Sequence, residues 1–336
     1  MRWGILGCGE IAEKKIAPAF MHARSARLIA VMRRNGKKAS NFAKRFGAQY
    51  AYDDADALLE DPNVDAVYIS APVAMHLPLA LSAARHKKHA LVEKPMGMTG
   101  DEADQMVEAC QSAGVKLGVA YYRRHYPKIQ KIRELILTGA IGTPISAFIQ
   151  FHDAVDDVVI ANKPWLIQPE ISGGGAGMDV GCHMADLLCY CMDAYPNSVM
   201  AIEERLVGTK AEASLGMLLH FSNGCAAAIS ASFAAKYKET PFLIYGTRGS
   251  ITMSSVDDDR FIIKNNRGVE NVVLPHAENM YISLIEDMTA AIHSGRKQIA
   301  EGADCVFASY VLDAAYASAK SGRAALISAK RRPASC

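Results

Sequence analysis

The chain opens with a short apolar run, Arg2 to Leu6, followed at once by Gly7-Cys8-Gly9-Glu10-Ile11-Ala12 and a helical pattern through His22. This opening restricts the fold more than any other stretch. An apolar strand that ends on closely spaced glycines and feeds a helix begins a βαβ unit, and therefore a parallel sheet. Gly7 allows the tight turn, Gly9 lets the backbone approach a ligand, and Ala12 permits close packing of helix on strand. The G-x-G-x-x-A spacing is the one that seats a dinucleotide pyrophosphate on a helix start. Glycines in an ordinary turn give the same letters, so the spacing needs the rest of the chain behind it.

A second apolar strand, Arg27 to Met32, ends on Arg33-Arg34-Asn35. Sites for NAD usually carry Asp or Glu here to accept from the ribose 2′-hydroxyl. Two arginines stand there instead, and their forked donors suit a 2′-phosphate. NADP(H) is expected in preference to NAD(H); two solvated arginines after a strand are the plain alternative. The alternation continues with helices over 38–46, 54–60, 77–85 and 100–113, and strands over 49–52, 64–70, 89–92 and 116–120. Ligands of such sheets bind beyond the carboxyl ends of the strands. That places Ala71, Pro72 and His76 after one strand, and Glu93, Lys94 and Pro95 after another, at the cofactor cleft. A lysine there reaches both the nicotinamide ribose and a substrate oxygen; a surface lysine ahead of a turn proline is the alternative.

The second chemistry-bearing stretch runs from Gly173-Gly174-Gly175 through Asp179, His183 and Asp186. It reads as a glycine-rich turn, with backbone free to approach a ligand, feeding a helix. In a regular helix those three polar residues share one face. Met178, Cys182, Ala185, Leu188 and Cys189 form the apolar stripe beside it. A carboxylate and an imidazole stacked at a helix start suit proton transfer; a packed helix whose His183 satisfies a buried carbonyl is the alternative. Upstream, Tyr122 and Arg123 in an aromatic and basic cluster are candidate substrate contacts, with plain packing as the other reading.

Composition narrows the partners. With 336 residues, half of them hydrophobic, and a net charge of +2, there is room for two domains and no electrostatic footprint for nucleic acid or an acidic membrane. No apolar run reaches membrane-spanning length, and the first residues enter a strand with no secretory pattern, so a cytoplasmic protein is expected. The short basic run over 330–333 reads as a solvated end. Eight cysteines in apolar contexts match neither a disulfide framework nor a zinc site, so free thiols and no metal are expected. After about residue 120, strands are expected over 144–152, 199–206, 213–221, 225–235, 241–245, 250–253, 261–264 and 269–274, with closing helices over 279–294 and 303–321. A βαβ half followed by a run of strands argues for α/β and then α+β, a domain over 1–120 and another over 121–336.

Together these residues resemble the glucose–fructose oxidoreductase / inositol dehydrogenase / MocA family of nicotinamide-dependent oxidoreductases. The motifs are Gly7-Cys8-Gly9, Pro72…His76, Glu93-Lys94-Pro95, the run Gly173…Asp179…His183…Asp186, Tyr245-Gly246-Thr247-Arg248-Gly249-Ser250 and Glu278-Asn279-Met280-Tyr281. Within it, Arg2-Trp3-Gly4, Gly142-Thr143-Pro144-Ile145 and Lys236-Tyr237-Lys238-Glu239-Thr240 are most similar to the 1,5-anhydro-D-fructose reductase branch. The chain departs from many relatives at Trp165, a further candidate substrate contact, which is followed by Leu166 rather than arginine.

The resemblance implies a Rossmann domain and a second domain with a large, open, mostly antiparallel sheet that joins copies into a homodimer or homotetramer. It implies that Lys94 and His183 are catalytic with Asp179 assisting, and that Pro95 follows a cis peptide bond. The expected activity is reversible hydride transfer between NADP(H) and a carbonyl or hydroxyl carbon of a sugar, oxo-sugar or polyol. His183 serves as general acid and Lys94 steadies oxyanion charge in this expectation. A redox-cycling glycosidase and a non-catalytic cofactor sensor are the alternatives of other classes.

Overall fold

The computed structural model describes residues 1–154, 164–205 and 209–328. The chain divides into two compact units, Met1–His125 with Ala277–Val306, and Tyr126–His276 with the chain from Phe307.

In the first unit, β1 (Arg2–Leu6), β2 (Arg27–Met32), β3 (Tyr50–Tyr52), β4 (Ala66–Ile69), β5 (His89–Val92) and β6 (Leu117–Val119) form one sheet. All neighbours are parallel, in the order β3-β2-β1-β4-β5-β6. The direction of winding reverses between β1 and β4, which is where a doubly wound sheet opens a crevice for its ligand. Helices on both faces explain why Ala66, Val67, Tyr68 and Ile69 are all buried rather than alternating.

Three of the helices carry a side-chain cap at their start. Asn35 accepts from Lys38 N–H ahead of Gly36–Phe46, Asp54 accepts from Ala57 N–H ahead of Ala55–Glu60, and Thr99 accepts from Glu102 N–H ahead of Gly100–Ala113. Gly47 and Gly114 end two of them in the left-handed conformation. Helix Tyr281–Ser294 returns to this unit, where the buried Trp3 donates its indole N–H to Thr289 Oγ1 at 3.2 Å. A single boundary near residue 120 leaves this return out.

The second unit is built on β7 (Pro144–Ala154), β8 (Pro196–Glu204), β9 (Ser214–Phe221), β10 (Ala226–Ser232), β11 (Ala234–Glu239), β12 (Phe242–Gly246), β13 (Gly249–Met253), β14 (Arg260–Asn265), β15 (Gly268–Val273) and β16 (Ala325–Leu326). The order is β15-β14-β13-β12-β7-β10-β9-β8-β16, with β11 pairing β7. Every pair is antiparallel except β7 with β10. The stretch expected as one strand over 225–235 is two: after Phe233, whose N–H binds Ala213 O, the chain leaves β10 and crosses to β7 as β11. The expected end of β8 at Leu206 and the basic run over 330–333 lie outside the described residues.

Register fixes two faces. Ala201, Met217, Ile229, Ile149, Phe242 and Met253 are paired across six strands and all buried. The adjacent row on the other face runs Met200, Leu218, Ala228, Phe148, Leu243, Thr252 and Ile262, with Leu218 64% exposed. The seven described cysteines are free and buried, and among the described residues no helix is long and apolar enough to cross a membrane.

Candidate active site

The glycine turn of the first unit is shaped for a ligand at one residue only. Gly7 has φ +101°, and a Cβ there would meet Ser70 O at 2.4 Å, so this position is closed by the neighbouring strand end. A Cβ on Gly9 would meet nothing within 4 Å. The N–H groups of Gly7 and Cys8 donate to Met32 O at 3.0 and 3.3 Å, and Gly9 N–H donates to Gly7 O at 3.0 Å. Glu13 N–H donates to Gly9 O at 3.0 Å, so Glu10, Ile11 and Ala12 form the first turn of a helix whose start faces the open side of Gly9. Open space over backbone at a helix start fits a pyrophosphate. The Cys8 thiol is buried, which pushes its pKa up to about 12 and leaves it inert.

Arg33 lies beside this turn. Its guanidinium donates to Cys8 O at 2.9 Å and its N–H to Tyr52 O at 3.1 Å, whereas Arg34 is exposed. One donor of five is thus used on the turn itself.

The side chains of His76 and Glu93 bond within the protein. The His76 ring is buried, with Nε2 at 2.9 Å from Ala71 O and Nδ1 at 3.0 Å from Pro95 O. It ties the Ala71–Pro72 turn to the turn at Lys94–Pro95, whose peptide bond is cis. Burial lowers the pKa of His76, and the nearby Lys94 charge lowers it further. The Glu93 carboxylate is buried, accepting from Tyr68 Oη at 2.8 Å, from Lys94 N–H at 3.2 Å and from the hydroxyl of Tyr281. Burial raises its pKa, against the lowering effect of Lys94. Lys94 itself is half-buried at the carboxyl end of β5.

Tyr122 stacks on Tyr281 with centroids 5.4 Å apart, and the buried Arg123 guanidinium lies 5.1 Å above the Tyr122 ring. Both candidate substrate contacts therefore join the Glu93 cluster through Tyr281.

In the second unit Gly174, Gly175 and Gly177 are packed by the chain's own atoms. A Cβ on Gly174 would lie 2.2 Å from Tyr316 Oη, on Gly175 1.8 Å from Glu212 O, and on Gly177 2.5 Å from Leu215 Cδ2. The expected freedom to approach a ligand is already taken up. Gly177–Gly181 is a π-turn and Cys182–Met192 an α-helix. Cys182 N–H reaches back to Gly177 O, so the α-helical register expected between Asp179 and His183 is interrupted by a wider turn, a feature common at functional sites. Asp179 is half-buried there, His183 and Asp186 are buried, and the stripe of Met178, Cys182, Ala185, Leu188 and Cys189 is buried as expected. Trp165 lies half-buried in the single turn Pro164–Ile167.

Residues 1–121 match the model of an oxidoreductase family with an NAD-binding Rossmann fold, GFO_IDH_MocA, and residues 129–252 match its C-terminal domain. The chain is 35% identical to oxidoreductase P35 of Formosa agariphila over 85% of its own length and 89% of that protein's. The chain belongs to the GFO/IDH/MocA family. It is also 29% identical to 1,5-anhydro-D-fructose reductase of Ensifer adhaerens, covering 97% of this chain and 98% of that one. The solved structure of aldose–aldose oxidoreductase from Caulobacter crescentus, complexed with glycerol, superposes with a TM-score of 0.88 at 25% identity, covering 97% of this chain and 99% of the other.

As a GFO/IDH/MocA protein the chain is an NAD(P)-dependent oxidoreductase, and the open turn at Gly9 fits that cofactor class. Sequence reasoning missed Tyr68, Glu212 and Tyr316. Each is a lone residue without motif spacing, and only the close approach of distant segments gives it a role. Tyr281 belongs to a motif that the sequence singles out, but its bond to Glu93 leaves no trace in local pattern.

Proposed function

We propose that this protein is an NADP-dependent oxidoreductase acting on a carbonyl or hydroxyl carbon of a sugar, oxo-sugar or polyol. The observation that carries the reading is Lys94, a half-buried residue at the carboxyl end of β5 beside a buried carboxylate, in a unit with an open dinucleotide turn. The names of two relatives, an anhydrofructose reductase and an aldose–aldose oxidoreductase, support a sugar-type substrate. Nicotinamide, when bound, supplies or takes up the hydride. Lys94 steadies negative charge on the substrate oxygen, and His183 carries the proton, since imidazole exchanges protons near neutral pH. Asp179, in the π-turn before it, orients that imidazole or binds a neighbouring hydroxyl. Tyr122, Arg123 and Trp165 are the proposed substrate contacts.

The first test is NADPH oxidation over a panel of ketoses, osones and oxo-sugars. Net consumption separates a reductase from a cycling hydrolase, which consumes none. In His183→Ala, kcat falls roughly 10²–10⁴-fold while NADPH binding is nearly intact. A variant with full turnover removes His183 from the reaction.

Preference for NADP rests on Arg33 against the glycine turn and on the lack of an acid after β2. Arg33→Asp abolishes the discrimination between the two cofactors, read from their dissociation constants; unchanged NADP preference overturns the assignment. The apolar row on the open sheet face, flanked by Ile202 at 74% exposure, supports pairing of two copies through that face. Sedimentation velocity reads this directly, and a monomer at micromolar concentration sinks it.

A further inference from the structure

A helix leaves its first four N–H groups without intrahelical acceptors. In the turn that leads to His183 these are the N–H groups of Gly175, Ala176, Gly177 and Met178, since the ladder begins with Asp179 N–H on Gly175 O at 3.0 Å. Three of the four are taken by Glu212, far away in sequence. Gly175 N–H donates to Glu212 Oε2 at 2.8 Å, Ala176 N–H to Glu212 O at 3.2 Å and Gly177 N–H to Glu212 Oε1 at 2.8 Å. The Tyr316 hydroxyl donates to Glu212 Oε1 at 2.8 Å and so backs the same carboxylate.

Glu212 is itself held by its surroundings. It is buried, and the next residue is pinned on both sides, Ala213 N–H to Glu204 O at 2.8 Å and Phe233 N–H to Ala213 O at 2.8 Å. Burial and the neighbouring carboxylate raise the pKa of Tyr316, so its phenol remains a donor. The glycines make this approach possible, because a Cβ at Gly175 would overlap the Glu212 carbonyl.

We propose that Glu212, backed by Tyr316, is a positioning residue for the turn carrying Asp179 and His183, fixing the height and angle at which that helix presents its imidazole. A carboxylate is required: it accepts two N–H groups and a hydroxyl at once, and its charge complements the helix start. Glutamine offers one oxygen and turns N–H groups toward N–H groups. The inference rests on the reading of His183 as proton carrier.

The experiment is single-turnover NADPH oxidation with the oxo-sugar turned over fastest in the panel above. The amplitude counts folded sites and the rate constant reports the chemical step. In Glu212→Gln the rate constant falls about 10- to 100-fold, the range expected for a misplacement near 1 Å. NADPH affinity stays within about twofold, because a bond to the helix start is not a bond to the cofactor. Tyr316→Phe, which keeps the carboxylate, lowers the rate constant less than Glu212→Gln does.

A smaller amplitude with an unchanged rate constant in both variants means that the clamp merely holds the fold together, and overturns the proposal. If His183→Ala keeps full turnover, the reading of His183 fails first. If His183→Ala is inactive while Glu212→Gln turns over at the parent rate, the positioning role alone fails.

Discussion

The two glycine-rich turns look alike as letters and differ in what occupies the space that the missing side chains leave. At Gly9 that space is empty to 4 Å, and the residue does not need a left-handed backbone. At Gly174, Gly175 and Gly177 it is filled by Tyr316, Glu212 and Leu215 at 2.2, 1.8 and 2.5 Å. The first turn keeps a place for a ligand; the second has already bound a piece of its own chain. Glycine enrichment therefore signals close approach and is silent on what approaches.

The largest expected effect follows from the filled turn. In Gly175→Ala the new methyl meets backbone, which no rotamer change relieves, so the second unit loses about 3 kcal/mol or more. Urea unfolding of the purified variant measures it, and parental stability would mean that the turn is looser than these distances require. Gly9→Ala does the reverse. Without cofactor its stability stays within ~1 kcal/mol of the parent, since the added methyl meets nothing. Its NADPH dissociation constant rises about tenfold, roughly the loss of one well-made contact. Titration of NADPH fluorescence reads that change, and unaltered affinity would place the pyrophosphate elsewhere.

How much of this was legible in the sequence follows the same line. Strands such as β1, β4 and β5 were readable because a buried parallel strand is a run of apolar letters between helical stretches. The stripe of Met178, Cys182, Ala185, Leu188 and Cys189 was readable from periodicity alone. The bonds that hold the start of the π-turn were not, because Glu212 reaches Gly175 to Gly177 from a distant segment. The ring contacts of His76 were not legible, because a histidine ahead of a helix reads the same whether its ring meets a ligand or two carbonyls. The return of Tyr281–Ser294 to the first unit was likewise invisible, since an amphipathic helix does not say which core it covers.

The carboxylates of the two regions sharpen the contrast at a smaller scale. Glu212 receives two backbone N–H groups and one phenol, whereas Glu93 receives two phenols and one N–H and has its pKa raised by burial. A carboxyl whose folded pKa is raised holds its proton more tightly in the folded state than in the unfolded one. Its contribution to stability is full below the ordinary carboxyl value of 4.5 and is lost as pH rises through the raised one. Glutamine cannot ionise and does not lose it. The stability of the parent relative to Glu93→Gln should therefore decline as pH rises from 4.5 toward neutrality, read by urea unfolding of both proteins across that range. A difference that stays constant, or grows with pH, would mean that Tyr68, Tyr281 and the Lys94 charge together stabilise the ionised form more than burial penalises it. Burial would then not set Glu93 apart, and the contrast between the two carboxylates would close.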